Sequence, residues 1–69
     1  MSNPQPLSHP VQPGTRVLYI GADAPIGGVG ATVDGISAAP GQPYRYHIFV
    51  DGESPDGRQV DQSEIAPAQ

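Results

Sequence analysis

Hydrophobic and polar positions alternate most regularly between Tyr44 and Val50. In an extended backbone, successive side chains point to opposite faces, so this run places Tyr44, Tyr46, Ile48 and Val50 on one face and Arg45, His47 and Phe49 on the other. Earlier in the chain, Thr15 to Ile20 is rich in β-branched and aromatic residues and predicts a strand. It is apolar on both faces from Val17 onward. Ala31 to Ile36 predicts a second strand, with Ala31 and Val33 inward and Thr32 and Asp34 outward. Arg58 to Asp61 predicts a short fourth strand after Tyr44–Val50. Ser63-Glu64-Ile65 reads as a single helical turn, and Ala66-Pro67-Ala68 as a last edge strand. Between these runs, Gly21 to Gly30 and Ser37 to Pro43 read as loops, and Asp51-Gly52 and Asp56-Gly57 carry hairpin-turn chemistry.

Composition sharpens this picture. Nine glycines and nine prolines in 69 residues leave no uninterrupted stretch long enough for a substantial helix. The length admits one domain, whose small core leaves a thin stability margin. The chain has no cysteine, so a disulfide or thiolate-bound metal cannot reinforce that core. Tight packing or a partner subunit remains. Residues 1–13 hold Pro4, Pro6, Pro10 and Pro13 among polar neighbours, a composition that predicts an extended, mobile arm. Pro13-Gly14 then opens the folded part, residues 14–69.

Charge narrows the partners. The formal net charge is −4, with no lysine and only Arg16, Arg45 and Arg58 as fixed cations. Nucleic-acid binders gather Lys and Arg against phosphates, and anionic membranes select the same residues, so neither partner is expected. No segment approaches the roughly 20 apolar residues of a membrane span. Met1 to Leu7 lacks the basic start and apolar run of a secretory signal, which predicts a cytoplasmic or virion-associated location.

Gly14-x-Arg16-Val17, the loop ending Gly28-x-Gly30-x-x-Val33, Tyr46-x-Ile48-x-Val50-Asp51-Gly52 and Val60-Asp61-x-Ser63-Glu64-Ile65-x-Pro67 follow one another from Gly14 to Pro67. This order resembles the SH3-like small barrels. The resemblance implies an all-β, five-stranded SH3-like barrel with a proline-rich N-terminal arm. Its single core would hold Val17, Val33, Tyr46, Ile48, Val50, Val60 and Ile65. Such barrels serve many functions, so function must be argued from the surface. Plasmid-type dihydrofolate reductases are tetramers of SH3-like chains with a comparable arm. Their Val-Gln-Ile-Tyr motif falls at Arg58-Gln59-Val60-Asp61 here, where Gln59 matches, Val60 is conservative and Asp61 replaces the tyrosine. The pore lysine of those enzymes has no counterpart in this lysine-free chain, which argues against carrying over the activity.

Few constellations could carry chemistry. Gly27-Gly28-x-Gly30 lacks the Lys-Ser/Thr and the following helix of a phosphate-binding loop. Asp51, Glu53 and Asp56, with Asp61 and Glu64 downstream, form an acidic surface. Their spacing does not fit an EF-hand, since position twelve from Asp51 is Gln62. His9 and His47, far apart in sequence, make neither a triad nor a zinc site. No catalytic residue, metal, cofactor or small-molecule substrate is therefore expected. Phe49, the sole phenylalanine, shares an outward face with His47 and Arg45, and an exposed aromatic beside an arginine is typical of interface anchors.

These features predict a non-catalytic module that docks on another protein or on itself, through Phe49, His47, Arg45 and the arm residues Pro4, Pro6, Leu7 and Pro10. Bacteriophage capsid decoration and head-assembly proteins are similar in style, being small barrels with extended arms. A KOW-like nucleic-acid module, or an acidic inhibitor presenting Asp51 to Glu64, is the alternative. The reductase-like enzyme is the remote one.

Overall fold

The computed structural model describes residues 5–53 and 57–68. Pro4 and Asp56 lie outside them. Five strands form one antiparallel sheet: β1 Arg16–Tyr19, β2 Val29–Ser37, β3 Arg45–Val50, β4 Arg58–Asp61 and β5 Ile65–Pro67. A 3-10 turn, Gln62–Glu64, joins β4 to β5. The strand order is β4-β3-β2-β1-β5, and the sheet curls into a half-barrel. No helix among the described residues is long and apolar enough to cross a membrane.

Period-2 alternation places the core on one face of this curl. Val17, Val33, Tyr46, Ile48, Val50, Val60 and Ile65 are all buried, as the sequence pattern predicts. Tyr19, Ala31 and Ala66 are buried with them. The strand at Arg58–Asp61 has the expected bounds, whereas β2 is longer than its apolar pattern at both ends. The pairing of β2 with β3 shifts register between Val33 and Gly35, a bulge that puts an extra residue, Asp34, on β2. Tyr44 does not share the inward face of Tyr46. It precedes β3 and is exposed, because the inward alternation starts only where the ladder does.

The N-terminal segment adds to this core. Leu7 and Val11 pack against the buried cluster, and the Leu7 N–H donates to the Ile65 carbonyl at 2.9 Å. Gln62 Nε2 donates to the Leu7 carbonyl at 3.0 Å. Gln62 Oε1 in turn accepts from the Tyr46 hydroxyl at 3.1 Å. Leu7, placed by the sequence in a partner-binding arm, thus lies on its own barrel, because edge strand β5 offers an unpaired carbonyl beside an apolar surface. Pro6, His9 and Pro10 flank this contact and are exposed.

Candidate functional site

The loop between β1 and β2 is the most distinctive surface. Its base is held by a network centred on the Tyr19 hydroxyl. That hydroxyl donates to Asp23 Oδ1 at 2.5 Å and accepts from Arg58 Nη1 at 3.0 Å. Arg58 also donates to both Asp23 oxygens and, through Nη2, to both Glu53 oxygens. Its Cζ lies 4.8 Å from the centroid of the Tyr19 ring, a cation–π arrangement. Hydrogen bonding to Asp23 and burial raise the Tyr19 pKa above that of an ordinary tyrosine. The Tyr19 and Arg58 hydrogen bonds lower that of Asp23. The Arg58 pKa is raised, chiefly by Asp23.

Glycines make this packing fit. A Cβ on Gly21 would collide with the Tyr19 hydroxyl, so only glycine lets the ring lie across the loop. Gly28, at φ +84°, donates its N–H to the Pro25 carbonyl and closes the turn. The run Gly27-Gly28-x-Gly30 crosses from the turn into strand β2, which begins at Val29. Within the turn, Ile26 is fully exposed. Together with Ile20, Ala24, Pro25 and the loop glycines it lines an open recess of about 270 Å³ whose surface is part polar, part apolar. Sequence reasoning passed over Ile26. The signal was a single large apolar residue framed by Pro25 and Gly27-Gly28.

The second recess, about 260 Å³, lies on the outer face of the sheet and is lined by Gly35, Ile36, Ser37, Arg45, His47 and Gln59. It includes Arg45 and His47, expected from the sequence as interface residues. His47 Nδ1 is 3.2 Å from Asp34 Oδ2, and Arg45 Nε is 3.6 Å from Asp61 Oδ1. Phe49 is half-buried rather than exposed. Two residues along the same strand face, its ring meets that of His47 edge-on, with centroids 5.1 Å apart at 77°.

Among the described residues, Asp51, Glu53, Asp61 and Glu64 each have a partner. Asp51 holds Arg16 by two hydrogen bonds, at 2.7 and 3.1 Å, which lower the Asp51 pKa and raise that of Arg16. Glu53 is engaged by Arg58 and Asp61 faces Arg45. Glu64 Oε1 accepts the Asp61 N–H at 3.0 Å, a capping-box contact. Asp51 finds its donor across the sheet, whereas Glu53 and Glu64 find theirs five and three residues away in the chain. In the run Gln59-Val60-Asp61, Val60 is buried in the core, leaving Gln59 exposed beside the outer recess.

Comparison with models of known families, with curated proteins and with solved structures finds no match to this chain.

Proposed function

We propose that this chain is a non-catalytic protein-interaction module built on an SH3-like barrel. The five-strand order and the 3-10 turn before the last strand support the barrel reading. The full exposure of Ile26 carries the functional one. Isolated surface hydrophobes are ordinary. Ile26 differs because Tyr19, Asp23 and Arg58 hold the base of the loop that presents it. A knob presented in this way loses less freedom on docking than a floppy one, which is how preorganisation raises affinity.

The arginines favour this reading over a nucleic-acid module. Arg16 and Arg58 already donate to two carboxylate oxygens or more each, so phosphates would compete with ion pairs in place.

A photo-crosslinking residue at position 26, in full-length protein made at its natural level, tests the reading. A discrete protein adduct at position 26, absent when the crosslinker stands at exposed Gln42, is the expected result. Equal or absent crosslinking at the two positions would overturn it.

A further inference from the structure

We propose that Gln62, Ile65 and the apolar surface beneath Leu7 form a peptide clamp, held here by the chain's own N-terminal arm, which takes a leucine-bearing extended segment of a partner protein when the arm lifts. This site is separate from the Ile26 loop and does not rest on it.

The clamp reads one residue at three points. The Ile65 carbonyl accepts the Leu7 N–H at 2.9 Å, Gln62 Nε2 donates to the Leu7 carbonyl at 3.0 Å, and the Leu7 side chain packs on the buried cluster. The Gln62 amide is aimed by the hydroxyl of buried Tyr46, which donates to Oε1 at 3.1 Å and leaves Nε2 to face the arm. β5 brings acceptors to this edge rather than donors. The Ile65 N–H is spent on the Gln62 carbonyl, and Pro67 has none. An incoming residue therefore supplies its N–H to Ile65 and relies on the Gln62 side chain to satisfy its own carbonyl. Main-chain bonds of this kind give affinity, while the surface beneath the side chain gives specificity. Proline cannot take the clamped position, because it lacks the N–H. It is accepted on either side, where Pro6 and Pro10 are exposed.

The arm is a light strap over this site. Leu7 and Val11 are half-buried, and Pro6, Ser8, His9 and Pro10 around them are exposed. Opening such a segment costs far less than unfolding the barrel. Its tether keeps it in place all the same, at an effective concentration on the order of millimolar. An identical arm on a second copy makes the same contacts without that advantage. The occupant in trans is therefore a segment of a different protein, one that adds contacts to those of Leu7.

The probe is a fluorescently labelled synthetic peptide of residues 1–13, and the receptor is full-length protein carrying Leu7→Asp, which empties the clamp. Fluorescence anisotropy should show saturable binding to this variant, and binding at least about tenfold weaker to wild type, whose own arm competes. A peptide with Leu7→Ala should bind about tenfold more weakly, and one with Leu7→Pro, which removes the N–H, should not bind measurably. Gln62→Ala, added to the Leu7→Asp chain, should weaken binding about fivefold. Leu7→Ala, a milder change, replaces Leu7→Asp in the receptor if that variant lacks native circular dichroism. Absence of saturable binding to a folded receptor overturns the clamp, and so does equal binding of the Leu7→Pro peptide. Light scattering on the wild-type chain across a concentration series separates the two possible occupants. A constant monomer mass is expected, whereas a mass that doubles would make a second copy's arm the occupant and overturn the assignment to a different protein.

Discussion

Arg58 of β4 lies over the ring of Tyr19 of β1 and hydrogen-bonds its hydroxyl, although β1 and β4 are not neighbours in the sheet. The curl of the sheet brings the two strands together. The contact ties the open side of the half-barrel to the loop that carries Ile26. Tyr19→Phe keeps the ring and removes the hydroxyl that bridges Asp23 and Arg58. It should cost about 1 kcal/mol, a typical net hydrogen-bond contribution. The buried ring should hold the fold together. Urea denaturation of the two proteins checks this, and an unchanged midpoint would show that the hydroxyl network contributes nothing.

Gly21 should be far less replaceable than Gly35. A Cβ at 21 collides with the Tyr19 hydroxyl, whereas one at 35 meets nothing within 4 Å. Gly21→Ala must displace a buried aromatic ring and should destabilise by roughly 1–3 kcal/mol, as overpacking does. Gly35→Ala should leave the melting temperature nearly unchanged. Parallel thermal melts decide the matter, and equal losses would contradict the packing described for Tyr19.

Leu7 should behave as a core residue. It packs on the buried cluster and both its backbone polar groups are engaged, by Ile65 and Gln62. Leu7→Ala should therefore cost about 1–2 kcal/mol from partial loss of apolar burial. Leu7→Asp should cost more, since it sets a carboxylate against apolar surface. Denaturation midpoints that stay at the wild-type value in both variants would place Leu7 off the barrel in solution.

Stability should fall at both extremes of pH. Asp23 and Asp51 have lowered folded-state pKa values, through hydrogen bonds from Tyr19, Arg58 and Arg16. Their contribution is full above the ordinary carboxylate pKa of about 4 and is lost as pH falls through the folded values. Both are exposed, so salt should weaken this effect. Tyr19 and Tyr46 have raised values, the first mainly from its hydrogen bond to Asp23 and the second mainly from burial. Their contribution is present below the ordinary tyrosine pKa of about 10 and is lost as pH rises through the folded values. Melting temperature against pH, followed beside tyrosinate absorbance, should show an acid limb sensitive to salt and an alkaline limb beginning above pH 10. An alkaline limb that starts well below the first tyrosinate absorbance would break the link.

Much of the barrel was determined by the sequence alone. Alternation is a local property of extended backbone, so Tyr46, Ile48 and Val50 had to share a face, and Ala31 and Val33 likewise. Gly, Pro and Asp-Gly pairs marked the breaks between strands for an equally local reason, the φ values they permit. Tertiary structure alone decided which distant groups meet. Tyr19 and Arg58 are 39 residues apart, and Arg16 and Asp51 are 35 apart. Their pairing depends on how strongly the sheet curls, which no local pattern encodes. The same holds for Leu7, whose proline-rich surroundings predicted a free arm until the edge of β5 offered it a carbonyl and an apolar bed. Ile26 completes the contrast: its neighbours Pro25 and Gly27 announced a turn, but only the path of the loop decided that its side chain would face solvent instead of the core.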